Sequence, residues 1–248
     1  MDASGKDSAI RHVMAGLDPQ GCEVHSFKAP SEEELDHDFL WRHARRAPER
    51  GRIGIHNRSY YEEVLIVRVH PEILAAQKLP SRIGARETWA GRYESIRDYE
   101  KHLHRNGTVV LKLFLNISRK EQRKRFFERL DEPDKNWKFS AQDVEERRHW
   151  TKYQRAYQDA IRQTATKHAP WIVVPADHKW YARLVIAAAV VDAFAGMDLS
   201  ETPATAARRR DLAKARAALE REKAGEKAER KQAAAEPDAE GGPVTPDS

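Results

Sequence analysis

Short apolar, β-branched segments alternate with helix-forming segments through residues 1–200, and this alternation constrains the fold more than any other feature. The patterns predict strands at Glu23–Phe27, Arg52–Asn57, Thr108–Leu115 and Trp171–Val174. Helical segments separate these strands, and that order favours a parallel sheet with helices on both faces. The sequence therefore predicts an α/β fold.

The helix predictions depend on capping signals and on apolar periodicity. Ser31–Glu34 has the pattern of a capping box, which predicts a helix from there to about Arg46. The Asn-Gly pair at 106–107 is a C-cap signal, and it ends a long helix that begins near Glu87. Residues 64–69 are apolar and fit either a strand or a helix. Further helices are predicted at about 118–130, 140–164 and 180–194.

The composition changes near residue 199, where a charged, Ala-rich segment without aromatic residues begins. Its few apolar side chains cannot offset the entropy lost on ordering, so residues 199–248 are predicted to be a flexible tail with helical tendency. The folded domain is accordingly assigned to residues 1–198. Positive and negative charges cancel over 201–248, so the net charge of +5 belongs to the domain. A basic domain suits an anionic partner such as nucleic acid, a membrane surface or polyphosphate.

The sequence contains no membrane or secretion signal. It has no run of eighteen apolar residues, and its first residues lack the apolar region of a signal peptide. The single cysteine, Cys22, cannot form an internal disulfide, which favours the cytoplasm. The eleven histidines show no ligand cluster, so no zinc site is expected.

The chain opens on a segment, Asp2 to Asp7, that has the form of the second half of a phosphate-binding P-loop. Gly5 permits close approach of the backbone, the following helix start presents free N–H groups, and Lys6 adds a positive charge. The full motif requires another Gly five positions before Gly5 and a preceding apolar strand, both of which would fall upstream of Met1. Taken alone, the Gly-Lys pair also fits an exposed loop.

Ordered sequence blocks accompany this loop, and together they resemble the polyphosphate kinase 2 family. The blocks lie at residues 2–7, 10–14, 18–21, 27–31, 36–42, 54–65, 67–71, 125–126, 129, 131–133, 135–140 and 170–171. The resemblance covers about residues 1–195. It implies phosphate transfer between inorganic polyphosphate and nucleotides on a P-loop kinase fold, with a helical lid at about 118–140.

The resemblance and the chemistry of phosphoryl transfer together assign roles to particular residues. Positioning and charge neutralisation dominate this reaction, which favours clustered cations and a loop of N–H groups. The expected catalytic residues are Asp2, Lys6, Arg58, Arg125 and Arg129. The expected phosphate-binding residues are Ser4, Gly5, Lys6, Asp7, Arg11, Lys135 and Lys138. Asn57, Arg58 and Tyr61 are expected to bind the nucleotide, and Asp2 and Asp7 to hold Mg²⁺ or Mn²⁺.

Asn57 and Trp137 each admit a second interpretation. Many relatives carry Asp where this chain has Asn57, which weakens the case for a metal-binding carboxylate there. Trp137 lies beside two lysines, and it fits a packing anchor better than a platform for a nucleobase.

The expected partners are polyphosphate and the mono- or diphosphates of adenosine or guanosine, without nucleic acid or membrane. A homo-oligomer, either a dimer or a tetramer, is expected from the resemblance. An ATP-dependent nucleoside monophosphate kinase is the alternative enzyme, because the fold is shared. A non-catalytic anion-binding protein is the alternative from another class. Since the loop lacks its first Gly and strand, we expect that the start of the chain was assigned too late, and an inactive truncated relative is the remaining possibility.

Overall fold

The computed structural model describes residues 3–80, 84–199 and 205–233, which divide into one unit up to Met197 and a second from Asp198. The strands described in the first unit are β1 (Cys22–Ser26), β2 (Ile53–Asn57), β3 (Lys112–Asn116) and β4 (Trp171–Pro175). Each lies within or next to a predicted strand, and each is separated from the next by helices. The α/β class predicted from the alternation is confirmed.

The described strands are parallel, as predicted, but they form two separate pairs. β1 pairs with β2 in a register that sets Ser26 opposite Asn57, and β3 pairs with β4 so that Asn116 lies opposite Pro175. Among the described residues, the single continuous sheet suggested by the sequence is therefore divided into two two-stranded sheets. Polar residues meet at the carboxyl end of the first pair, the edge where α/β proteins bind ligands.

The helices before residue 80 are short, and one prediction among them is wrong. They are α1 (Lys6–Val13), α2 (Glu32–Leu35), α3 (Trp41–Ala44), α4 (Ile66–Val69) and α5 (Pro71–Ala75). The predicted capping box is present, with Ser31 and Glu34 bonded reciprocally. The helix it opens ends at Leu35 instead of Arg46. Asp38 accepts a hydrogen bond from the Leu40 backbone N–H at 2.9 Å, and this local bond competes with a continuous helix.

The later helices follow the predictions more closely. They are α6 (Ala85–Arg105), α7 (Arg119–Asp131), α8 (Ala141–Glu146), α9 (Trp150–Thr164) and α10 (Lys179–Ala195). Gly107, with φ of 83°, ends α6 at the predicted Asn-Gly pair. A 3₁₀ turn at Arg147–His149 interrupts the single helix predicted at 140–164. Further 3₁₀ segments lie at Pro19–Gly21, Tyr60–Val64 and Pro133–Lys138, so the ambiguous residues around 64–69 are helical.

Two buried apolar clusters hold these elements in place. The larger one joins the 3₁₀ segment at Tyr60–Val64 to α6 and α9, with Ile96 and Val64 fully buried. The smaller one packs Ala9 of α1 against Val174 of β4 and Ile186 of α10. Since α1 directly follows the opening loop, this second cluster fixes the direction in which the loop faces.

The second unit contains α11 (Ala206–Ala233). The sequence predicted helical tendency within a flexible tail, whereas the structure has one continuous helix of 28 residues. Alanine and long-chain charged residues have high helix propensity, which supports a helix without a hydrophobic core. None of the helices that the structure describes has the length and apolar character needed to cross a membrane.

Candidate phosphate-binding site

The opening loop has the backbone geometry of an anion-binding turn. Ala3 and Gly5 both adopt positive φ angles, 59° and 92°, and Gly5 is the N-cap residue of α1. Glycine suits this position because an L side chain is strained at such a φ. The first backbone N–H groups of α1 have no carbonyl partner within the helix, so they form a site for negative charge.

A cavity of about 550 Å³ lies against this loop. Residues 3–8 form one wall, and the other walls come from the end of β2, from α7 to α9, and from the start of α10. The basic side chains that line it are Lys6, Arg58, Arg125, Arg129, Lys135, Arg147 and Lys179. These residues come from distant parts of the sequence and converge on one cavity, which is the arrangement that a polyanionic substrate requires.

Lys6 and Asp7 are linked to the end of the first strand pair through Asn57. Lys6 Nζ contacts Asn57 Oδ1, and it lies 3.3 Å from Asp7 Oδ1. Asn57 Nδ2 donates to Asp7 Oδ1 at 2.8 Å and to Ser26 Oγ at 3.3 Å. Asn57 therefore orients both charged residues of the loop. A neutral amide can do this because it donates to the carboxylate and accepts from the lysine.

Arg58 follows β2 directly and lines the cavity. Its φ of 65° lies in the left-handed region, which is unusual for arginine, and its side chain is exposed. No hydrogen bond or ion pair of this side chain is found in the described part of the chain. The guanidinium is thus available for an incoming anion, and the strained backbone conformation aims it.

The basic residues of α7 and the segment after it are partly neutralised by carboxylates. Arg129 Nη1 lies 3.4 Å from Asp143 Oδ2, and Lys135 forms an ion pair with Glu132. The guanidinium groups of Arg129 and Arg147 lie 5.5 and 5.9 Å from the centre of the Phe126 ring. Cation–π contacts of this kind hold the two arginines near each other despite their equal charge.

Arg125, predicted to be catalytic, is 4% exposed, and backbone oxygens take up most of its N–H groups. It donates to Ala3 O at 2.9 Å, to Ala176 O at 2.7 Å and to Asp177 O at 2.9 Å. Its Nε donates to Glu121 at 3.0 Å. Because the guanidinium has five N–H groups and these contacts occupy four, Arg125 ties the loop to the turn after β4.

The remaining predicted site residues differ in whether they line the cavity. Arg11 is exposed on α1 but is not among the residues that line the cavity. It is five positions after Lys6, which places its side chain about 140° around the helix axis from that of Lys6. Tyr61 is 4% exposed, so it does not reach a nucleotide in the cavity as predicted. Ser4 does line the cavity. Asp2 and the side chain of Lys138 lie outside the described residues.

Tyr61 belongs to a buried polar network that the sequence did not indicate. Tyr60 Oη and Tyr61 Oη donate to Glu100 Oε1 at 3.0 and 2.8 Å. Lys112 Nζ donates to Glu100 Oε2 at 2.7 Å, to Tyr61 Oη at 3.1 Å and to Thr164 O at 2.8 Å. Burial, and then the neighbouring Glu100, raise the pKa of both tyrosines well above the usual value. This network connects α6, β3 and α9 to the segment that follows Arg58.

The cavity residues that the sequence did not indicate include Arg147, Lys179 and Glu146. Lys179 begins α10 just after β4, so the rule that placed Asn57 and Arg58 at a strand end could have found it. Glu146 accepts from Tyr153 Oη at 2.8 Å and lies 3.0 Å from His70 Nε2. Burial opposes the charge on His70, but its bonds to Glu146 and Glu72 raise its pKa overall.

A metal ion in this site would depend on few protein ligands. The described residues contain no group of three His, Cys, Asp or Glu side chains arranged to hold a metal. Asp7 has a side chain that is 74% exposed at the start of α1. Mg²⁺ commonly binds through one or two carboxylates together with substrate phosphates and water, so a single exposed Asp beside the loop fits it.

The chain is similar to known proteins over most of its length. The family model for polyphosphate kinase 2 matches residues 1–202. A protein of Rhodopseudomonas palustris named ADP-polyphosphate phosphotransferase is 53% identical over 220 residues, which cover 88% of this chain and 76% of that protein. An AMP/ADP-polyphosphate phosphotransferase of Meiothermus ruber is 45% identical over 79% of this chain and 70% of its own. The crystal structure of polyphosphate kinase 2 from Arthrobacter aurescens TC1 superposes with a TM-score of 0.75 at 41% identity, over 86% of this chain and 72% of that one.

Proposed function

The chain belongs to the polyphosphate kinase 2 family, and from this premise we propose that it transfers phosphate between inorganic polyphosphate and nucleotides. The acceptors are AMP or ADP, or the guanine counterparts, and the reaction also runs in reverse. The observation that carries the proposal is the convergence of Lys6, the α1 N-terminus and the unpaired Arg58 on one cavity.

The transferring phosphoryl group would lie at the start of α1. The backbone N–H groups and Lys6 Nζ hold its oxygens, and Arg58 neutralises charge from the other wall. Asn57 holds the side chains of Lys6 and Asp7 in a fixed arrangement through its amide group. Asp7, with Asp2 as the expected second carboxylate, would hold Mg²⁺ or Mn²⁺, and this ion supplies further charge neutralisation on the phosphates.

Arg125 takes a positioning role in this proposal, and the lid role passes to its neighbours. Buried and bonded to backbone oxygens, it holds the loop in its anion-binding geometry. Arg129, Lys135 and Arg147 are the cations that a closing lid would bring to the phosphates. The carboxylate partners of Arg129 and Lys135 would release them to the substrate, since phosphate carries more charge than a carboxylate.

The nucleobase has a candidate contact in Trp137, for which packing was the favoured interpretation from the sequence. Its side chain is 78% exposed and lines the cavity, where it is accessible to a nucleobase. An exposed indole can stack on any base, which agrees with acceptors of either purine type.

Assembly into a homo-oligomer and a cytoplasmic location are part of the same proposal. One face of α10 exposes Trp180 (67%), Leu184 (58%) and Val191 (66%), an apolar stripe of the type that subunit interfaces cover. Whether a dimer or a tetramer forms is a question for sedimentation analysis. The free cysteine, Cys22, fits a reducing compartment.

The decisive test supplies the purified chain with Mg²⁺, AMP or ADP, and either polyphosphate or ATP as the donor. We expect product nucleotide with polyphosphate. Turnover with ATP alone would instead establish the nucleoside monophosphate kinase alternative. Binding of polyphosphate without any turnover would establish the non-catalytic alternative.

A further inference from the structure

The long helix α11 carries a concentration of positive charge that the composition of the tail conceals. Its 28 residues contain twice as many basic as acidic side chains. The acidic residues that cancel this excess over 201–248 lie outside the helix, at Glu201, Glu236, Asp238, Glu240 and Asp247. The helix by itself is therefore strongly basic, although the tail as a whole is neutral.

Part of this charge is organised into a stripe along the helix. With 3.6 residues per turn, five cations fall within an arc of about 60° and span roughly 30 Å of helix length. We call these residues the basic stripe: Arg209, Arg216, Lys223, Lys227 and Arg230. The acidic residues of the described helix all fall outside that arc. Arg216 does pair with the adjacent Glu220 at 3.0 Å, but both side chains are highly exposed, so this pair is weak.

From this charge pattern we propose that α11 is a second polyphosphate-binding element, one that captures the polymer for the catalytic unit. The proposal rests on the function proposed above, which makes polyphosphate the substrate. A linear polyanion complements a linear row of cations, and binding releases the counterions that surround the polymer. The side chains of residues 205–231 are exposed except for the half-buried Ala217, so the stripe is accessible within its own unit.

Two other ligands for a basic helix are less favoured by its composition. Membrane-surface helices need a wide apolar face with aromatic or leucine residues, whereas the only large apolar residues of α11 are Leu212 and Leu219. Nucleic acid would be held through the same phosphate contacts. However, α11 has no aromatic side chain on which exposed bases could stack. Polyphosphate has no bases and needs none.

The effect of α11 on catalysis should depend on the length of the polyphosphate donor. A long polymer can bind α11 with one segment while another segment enters the cavity, which raises its local concentration. Tripolyphosphate is too short to do both, so its use should not depend on the helix. No particular arrangement of the two units is required.

The test uses the full chain and two matched variants that each remove four charges from α11. The stripe variant carries Arg209→Gln, Arg216→Gln, Lys223→Gln and Arg230→Gln. The control carries Asp211→Asn, Glu222→Gln, Glu226→Gln and Glu229→Gln. For long-chain polyphosphate we expect the stripe variant to raise KM about tenfold, and to lower the slope of log affinity against log salt by about three to four. The control should not raise KM, and neither variant should change KM for tripolyphosphate.

A binding experiment separates this inference from the proposed function. It measures the binding of long-chain polyphosphate by fluorescence anisotropy, without nucleotide. Loss of binding in the stripe variant supports the inference even if no turnover is observed. Turnover with unchanged KM in the stripe variant overturns the inference and leaves the proposed function intact. Tighter binding of single-stranded nucleic acid than of polyphosphate at equal salt would also overturn it.

Discussion

Two lysines of this chain show how the same side chain serves opposite purposes in two regions. Lys6 lies at the cavity, with a side chain that is 40% exposed and that contacts the Asn57 amide and Asp7. Lys112 lies beneath the surface, with a side chain that is 4% exposed. All three of its ammonium protons are taken by Glu100, Tyr61 and Thr164, although burial lowers its pKa.

The difference teaches which cations the fold uses and which it leaves for a substrate. A buried charge must be fully paired and hydrogen-bonded, so it has nothing left to offer a ligand. A charge at the edge of a cavity with weak partners can exchange them for phosphate oxygens. We therefore expect loss of Lys112 to affect stability and loss of Lys6 to affect activity.

The substitution Lys112→Met should have the largest effect. It leaves Glu100 buried with only the two tyrosine hydroxyls, and we expect the free energy of unfolding to fall by about 3–5 kcal/mol. Denaturant titration measures this. Lys124→Met is the matched control, because Lys124 is exposed and pairs loosely with Glu128 at 3.9 Å. Its cost should be below about 0.5 kcal/mol, and an equal loss in both variants would contradict the contrast.

The same substitution at the loop, Lys6→Met, should act on activity instead. Removing one charge that stabilises the transition state is expected to lower kcat/KM by about 10²–10³-fold. The unfolding free energy should change by less than about 0.5 kcal/mol. Lys120→Met on the exposed side of α7 controls for loss of surface charge. Normal turnover of Lys6→Met would remove Lys6 from the site.

The substitution Arg125→Lys should affect both stability and activity, between the stability effect of Lys112→Met and the activity effect of Lys6→Met. Lysine keeps the charge but not the planar fork that reaches Ala3, Ala176 and Asp177 together. We expect the unfolding free energy to fall by about 1.5–3 kcal/mol, together with a lower kcat. Arg123→Lys, at an exposed position of the same helix, should leave both quantities unchanged. A fall in kcat with intact stability would return Arg125 to a directly catalytic role.

His43 should give the smallest effect on the free energy of unfolding. It tests a buried imidazole whose polar atoms are not all hydrogen-bonded. It is fully buried, its Nδ1 has no hydrogen-bond partner among the described residues, and burial followed by repulsion from Arg42 and His56 lowers its pKa from 6.5 to about 3. The unfolded state therefore binds the proton more readily. Stability should therefore fall as the pH decreases below 6.5, by roughly 1 kcal/mol between pH 6.5 and 5.5.

The variant His43→Leu isolates this contribution from that of other groups. Its unfolding free energy should depend less steeply on pH between 6.5 and 5 than that of the original chain. His56, whose pKa is also lowered by burial, is present in both proteins, so its titration contributes to both pH profiles. Equal slopes would show that His43 is not the group responsible.

Local signals in the sequence predicted much of the fold. The four strands, the capping box at Ser31 and the end of α6 at Gly107 depend on neighbouring residues, and each was found close to its predicted place. The helix expected to reach Arg46 failed because the side chain of Asp38 bonds to the backbone two residues later. Helix and turn differ little in free energy at this position, and the apolar periodicity of the sequence does not show which one forms.

The predicted site depends on local signals and on the family resemblance, which leave out burial and long-range contacts. Lys6 and Arg58 were predicted from a loop motif and a strand end together with that resemblance, and both line the cavity. The burial of Arg125 and Tyr61 could not be predicted in this way, because it depends on residues far away in the chain. Arg125 reaches Ala3 across 122 residues, and Tyr61 reaches Thr164 across 103.

The sequence by itself determined the α/β class and the family, because these rest on local pattern and ordered motifs. Only the tertiary structure decided which charges remain available. Lys112, Arg125 and Tyr61 are held by partners that folding brings to them, whereas Arg58 keeps an exposed guanidinium at the cavity. The physical reason is that desolvation and pairing are properties of the assembled neighbourhood, and no single segment of the chain contains them.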